Sequence, residues 1–170
     1  MKVKTKQVNE KLIDKTLNLS GWVAKKRNLG GLIFIDLRDR YGLLQLIVKP
    51  ESPIYVLAET IRNEYVIEVS GVLALRESEN KNLETGRFEL EVNTLKVLSV
   101  SKNPPLIIAD KTDALEDVRL KYRYLDLRRP VQKSFILKRA EIVRSVRKSL
   151  EAMDFVEIDT PILAKSKIGR

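Results

Sequence analysis

Leu32-Ile33-Phe34-Ile35-Asp36-Leu37-Arg38-Asp39-Arg40-Tyr41-Gly42-Leu43-Leu44-Gln45-Leu46-Ile47-Val48 alternates, turns, and alternates again. Successive side chains of a strand point to opposite faces. Ile33, Ile35 and Leu37 therefore share one face, and Leu32, Phe34, Asp36 and Arg38 share the other. Beyond a tight turn at 39–42, Leu44, Leu46 and Val48 form a second apolar set, with Leu43, Gln45, Ile47 and Lys49 facing away from it. The period of two predicts a pair of strands with one core face each. Their outer face carries a ring, an amide and charges.

The same pattern extends outward in both directions. Thr16 to Lys26 reads as a strand with Leu17, Leu19 and Val23 on one side and Asn18, Ser20 and Ala24 on the other. Gly21 lets it bend sharply, and Trp22 falls on the polar side with a structural role beside that glycine. Asn28-Leu29-Gly30-Gly31 turns the chain into the second strand, and Pro50 stops the third. Ser52 and Pro53 suit a helix start, and Ile54, Leu57, Ala58 and Ile61 would share one face of that helix. Tyr65 to Leu75 returns to strand with Gly71 at a bulge, 77–86 is a polar loop, and Arg87 to Leu98 is a fifth strand. Phe88, Leu90 and Val92 face its core; Arg87, Glu89, Glu91 and Asn93 face out. Three strands, a helix and two strands predict a mainly β chain. It is a five-stranded Greek-key barrel of OB-fold type with the helix between the third and fourth strands.

Asn103-Pro104-Pro105 marks a boundary. The predicted organisation is a barrel over 1–102, a linker over 103–130 and a second unit over 131–170. In that second unit a helix runs from Pro130 to about Met153, with Ile136, Ala140, Val143, Val146 and Leu150 as its apolar stripe. A strand over Phe155–Leu163, interrupted by Pro161, follows. One helix and half a strand cannot bury a core, so this part reads as the incomplete start of an α+β domain.

Composition narrows the chemistry. The 170 residues contain no Cys and no His, which excludes disulfide frameworks, thiolate metal sites and His-based triads. The net charge is +9, and a chain this basic commonly meets a polyanion. Residues 1–30 hold eight basic and two acidic residues, and 119–148 hold eleven and two. The stretch between them is mildly acidic. Apolar runs are far too short to span a bilayer, and the expected location is the cytoplasm.

The outer face is where function would lie. Phe34 among charges fits a stacking platform for an unpaired base, worth roughly 1–3 kcal/mol. It fits equally a ring that covers the barrel end. Gln45 can donate and accept, so it can read a base edge, although a lone Gln is most often only solvated. Glu89 can accept from a base amino group or simply keep the surface polar. Lys25, Lys26 and Arg27 end the first strand near the same surface and suit phosphates, which bring affinity without sequence selectivity. Asp36 and Asp39 suit turn and charge-pair contacts with Arg38 and Arg40 better than a metal site. No nucleophile–base pair or phosphate-cradling glycine loop occurs, so no catalytic residue is assigned.

Three blocks in order resemble one family. Gly21-Trp22-Val23, then Gly30 to Arg40, then Gln45 resemble the N-terminal domain of aspartyl-tRNA synthetases. Arg119-Leu120-Lys121-Tyr122-Arg123-Tyr124-Leu125-Asp126-Leu127-Arg128-Arg129-Pro130 is similar to the hinge of the bacterial form. Phe155-Val156-Glu157-Ile158-Asp159-Thr160-Pro161-Ile162-Leu163 resembles motif 1 of class II synthetases. Asparaginyl- and lysyl-tRNA synthetases share the architecture. The resemblance implies tRNA as partner, with its aspartate anticodon bound by the barrel. Phe34 would stack on an anticodon base, Gln45 and Glu89 would bond base edges, and Arg27 would lie beside them. Lys25 and Lys26 would hold phosphates, and Pro161 would lie at a homodimer interface. For the full-length family it implies ATP- and Mg²⁺-dependent attachment of aspartate to tRNA.

The sequence departs from the family near its end. Where the bacterial pattern continues Thr-Pro-Glu-Gly-Ala-Arg-Asp after Lys165-Ser166, this chain reads Lys167-Ile168-Gly169-Arg170. Motifs 2 and 3 have no match, which reads as a truncation or a change of frame. The expectation is an anticodon reader that does not aminoacylate by itself and holds no cofactor. The alternative is a general single-strand-binding OB protein.

Overall fold

Strand alternation builds a small barrel in the computed structural model, which describes residues 1–162. The chain divides into two units, one of residues 1–104 and one from 105 onward. The first holds β1 (Thr16–Leu29), β2 (Leu32–Arg38), β3 (Leu43–Val48), β4 (Val66–Leu75) and β5 (Phe88–Ser99), with helix α1 (Tyr55–Thr60) between β3 and β4. The pairing order is β1-β2-β3-β5-β4, and β4 returns to β1, so the barrel is closed. All seams are antiparallel except β3 with β5, where Gln45 pairs with Glu89 and Ile47 with Glu91.

The predicted inward residues fill the barrel. Leu17, Leu19, Val23, Ile33, Ile35, Leu37, Leu44, Leu46, Val48, Phe88, Leu90 and Val92 are all buried, and each such large side chain contributes about 1.5–3 kcal/mol by leaving water. Two glycines permit close strand approach. A Cβ on Gly21 would lie 2.4 Å from the Arg38 carbonyl oxygen, and one on Gly71 would lie 2.1 Å from that of Glu91. The β4–β5 register shifts between Ser70 and Gly71, at the predicted bulge.

Helix α1 is shorter than its sequence pattern suggested. It starts at Tyr55, with Ser52 contributing only a carbonyl to the Tyr55 N–H at 3.0 Å. Ala58 and Ile61 are fully buried, whereas Leu57 faces solvent because six residues turn too few side chains inward. The first fifteen residues carry no strand pattern, yet they pack on the barrel. Val3 and Thr5 are buried, and Val8, Leu12 and Ile13 lie against the core.

The second unit contains α2 (Glu116–Lys121), α3 (Arg123–Asp126) and α4 (Pro130–Glu151). Asp126 is completely buried and receives hydrogen bonds from Arg119 at 3.1 Å, Arg123 at 2.7 Å and Arg129 at 2.7 Å. Arg129 also donates to the carbonyls of Ala109 and Asp110, so one carboxylate ties the linker to both short helices. The stripe of α4 is exposed throughout the described residues. The predicted strand from Phe155 is a correction: 155–162 form no strand. A strand is made by its ladder, and no described segment pairs with this one. Instead Phe155 N–H bonds to Leu150 O, and Glu157 pairs with Arg147 at 2.8 Å. Pro161 is exposed and outside regular structure. Leu163 and the residues beyond it, on which the departure from the family pattern rests, lie outside the described residues.

Candidate nucleic-acid interface

Register places the outer-face residues in two rows. Lys25, Asp36, Gln45, Glu89 and Ala74 are successive partners across β1, β2, β3, β5 and β4. Arg27, Phe34, Ile47, Glu91 and Val72 form the next row. Strand alternation turns both rows away from the core. Arg27, Phe34, Gln45 and Glu89 line one open depression of about 320 Å³, joined by Leu29, Leu32 and Ile47 and by Arg76, Glu77 and Ser78 of the β4–β5 loop.

The polar groups are held by one another. Gln45 Nε2 donates to Glu89 Oε2 at 2.9 Å, and Gln45 is only 6% exposed. Arg27 Nη2 donates to Asp36 Oδ1 at 2.8 Å, whereas Arg27 Nε is buried without a hydrogen-bond partner. Phe34 is half-buried and lines the same depression. Beside the depression, Lys49 Nζ meets Glu91 Oε1 at 2.6 Å. The hydrogen bond that Lys49 donates to Glu91, and that carboxylate's negative charge, raise the lysine's pKa above the ordinary value.

The charge partner of Asp36 differs from the predicted one. Asp36 bonds to Arg27 across β1 and β2, while Arg38 forms a two-pronged pair with Glu64 at 2.9 and 2.7 Å. Asp36 and Arg38 share a face but lie two residues apart along β2, and Arg27 on the adjacent β1 is within reach of Asp36; Glu64 reaches Arg38 from the segment that precedes β4. Asp39 does organise its turn. It accepts from Tyr41 N–H and Gly42 N–H, and from both the N–H and the Oγ1 of Thr5, at 2.6–3.1 Å. Burial alone would raise its carboxyl, but these bonds outweigh it and hold the pKa below the ordinary value.

The two lysines part company. Lys25 is exposed beside the depression. Lys26 Nζ donates to Glu59 O at 2.6 Å, at the last turn of α1, where a cation meets the negative end of the helix dipole. Burial lowers its pKa, opposed by Glu59 and helped by Arg62. Arg76 and Ser78 were not singled out from the sequence, because a polar loop gives no register. Their position immediately after β4 was the available signal.

A stacking ring, a buried amide, a carboxylate and two guanidinium groups around one open depression can hold an unpaired nucleobase. Residues 17–98 match the family described as OB-fold nucleic acid binding domain, and residues 115–170 match that of tRNA synthetases class II (D, K and N). Over 164 residues, 94% of this chain, the sequence is 49% identical to the aspartate–tRNA(Asp/Asn) ligase of Bacillus cytotoxicus. The chain belongs to the aspartyl-tRNA synthetase family. It is also 47% identical to the aspartate–tRNA ligase of Streptococcus thermophilus over 163 residues. It spans 28% of the length of these two relatives. Solved structures share the fold. The aspartyl tRNA synthetase from Entamoeba histolytica superposes with a TM-score of 0.87 at 20% identity, over 96% of this chain and 40% of that one. The asparaginyl-tRNA synthetase from Pyrococcus horikoshii gives 0.82 at 24%, over 98% and 38%. Arg27, Phe34, Gln45 and Glu89 all fall within the segment 17–98 that matches the OB-fold nucleic acid binding domain. No described helix is long and apolar enough to cross a membrane.

Proposed function

We propose that the outer face of β1, β2, β3 and β5 binds the anticodon loop of tRNA carrying the aspartate anticodon. The observation that carries this reading is the convergence of Arg27, Phe34, Gln45 and Glu89 on one open depression. Phe34 supplies the stacking face, Gln45 and Glu89 the edge contacts, and Arg27 a positive charge beside them. Lys25 is placed for phosphate. Lys26 keeps that proposed role only by leaving the α1 carbonyls.

For the whole protein we propose cytoplasmic, ATP- and Mg²⁺-dependent attachment of aspartate to tRNA by a homodimer, with the Pro161 segment at its interface. Among the described residues no three carboxylates are placed to hold a metal ion, and no step of that chemistry is assigned to this chain.

The test is binding of this chain to an RNA stem-loop with anticodon GUC, against the same loop with its central U changed. Preference for GUC is the expected result. Phe34→Ala should weaken binding about tenfold or more, the value of one lost base stack, without altering the melting temperature. Equal affinity for unrelated oligonucleotides would favour a general single-strand-binding role instead.

A further inference from the structure

We infer that Glu89 is a positioning residue that fixes the polarity of the Gln45 amide, so that the depression selects a base with a ring N–H on its Watson–Crick edge. That class is uracil or guanine, and it excludes cytosine and adenine. The inference rests on the anticodon-binding reading above and goes further, because it gives Glu89 a second task beside its own edge contact.

A glutamine amide is nearly symmetric in shape, and its two ends differ only in donating or accepting. A free Gln45 would therefore pair with either kind of edge by turning over. It is not free. An ionised carboxylate only accepts, so the amide must face Glu89 with its NH₂ group, and Nε2 does so at 2.9 Å. Gln45 is almost buried, which restricts other placements of the side chain. The amide oxygen accepts no hydrogen bond among the described residues and is not sealed from solvent. It is left as an outward-facing acceptor on the wall of the depression. Uracil N3–H and guanine N1–H can meet it. Cytosine N3 and adenine N1 are bare acceptors, and bringing one against a carbonyl oxygen leaves two desolvated groups unpaired. That costs more than a missing bond. The parallel seam enforces the arrangement, because Gln45 and Glu89 are direct partners in it.

Three stem-loops test the idea: GUC, GCC and AUC. Each change replaces a ring N–H with a bare ring nitrogen, at the central or the first position. With the wild-type chain, at least one change should weaken binding about tenfold, the scale of one buried mismatch. In Glu89→Gln the amide at 45 can turn either way, and that discrimination should fall to about twofold or less. The exchanged pair, Gln45→Glu with Glu89→Gln, should restore it, because a carboxylate at 45 only accepts and the new glutamine can donate to it. A merely structural role for Glu89 would shift all three affinities together and leave their ratios unchanged. Full discrimination in Glu89→Gln, or none in the exchanged pair, overturns the inference. If Glu89→Gln fails to fold, wild type against the exchanged pair decides it by the same criterion. Equal binding of all three loops to the wild type defeats the anticodon reading itself, and the inference with it.

Discussion

Lys25 and Lys26 show how far one residue's position changes its work. Both follow Ala24 in β1, and both are cations near an outer face. Only Lys25 stays exposed, whereas the Lys26 ammonium is bound to the Glu59 carbonyl. Lys25→Ala should lower the slope of log affinity against log salt for RNA by about one, as expected for a lost phosphate contact. Lys26→Ala should leave that slope unchanged and cost about 0.3–1 kcal/mol of barrel stability through the lost helix-end interaction. Salt titration of RNA binding, with denaturant unfolding of the same variants, separates the two. A drop in slope for Lys26→Ala would return that residue to the RNA surface.

At the scale of elements, the strands and the barrel class were legible and the contacts across its closing seam were not. Alternation named Ile33, Ile35, Leu37, Leu44, Leu46 and Val48 as core, and all are buried. Alternation also put Phe34, Gln45 and Glu89 outside, but it carries no information about which strands become neighbours. That Gln45 and Glu89 touch depends on a parallel seam between residues 44 positions apart, which no local pattern encodes. The depth of Gln45 followed from the same contact. The helix-end use of Lys26, the packed first fifteen residues and the Asp126 cluster were hidden for a similar reason: each is a tertiary contact without a period. The segment from Phe155 failed in the opposite way, because a good local strand pattern found no ladder. Gly71 tests the β4–β5 element directly. Gly71→Ala places a methyl group 2.1 Å from the Glu91 carbonyl oxygen, so that β5 must shift. The expected cost is about 1–3 kcal/mol, read as a lower denaturant midpoint, and an unchanged midpoint would show that the bulge absorbs the methyl.

Across the whole molecule, two carboxylates, one in each unit, have pKa values held below the ordinary one and should contribute to the response to acid. Hydrogen bonding from Arg129, opposed by burial and supported by Arg119, holds the Asp126 pKa below the ordinary value. Asp39 is lowered as well, its hydrogen bonds overcoming the opposing effect of burial. A carboxyl with a depressed folded pKa binds fewer protons folded than unfolded. Its stabilisation is therefore complete above its unfolded value, about pH 4, and is lost as the pH falls below that through the folded value. With no histidine in the chain, no side chain of ordinary pKa titrates between about pH 5 and 8. Thermal melts should be nearly flat across that interval and fall below pH 4. Asp39→Asn should reduce the acid-induced loss in the barrel, and the same loss in that variant would assign the acid response elsewhere.

The parallel seam also sets an order of events in time. Gln45 and Glu89 can meet only after the chain between them has been made and its ends brought together, and closing a long loop is slow relative to forming a hairpin. While β5 is still within the ribosome, the emerging chain already contains Arg27 and Phe34. It lacks the partner that orients the amide. Such a nascent chain would meet RNA through charge and stacking alone, and selectivity would arrive as a late, single step when the last strand docks.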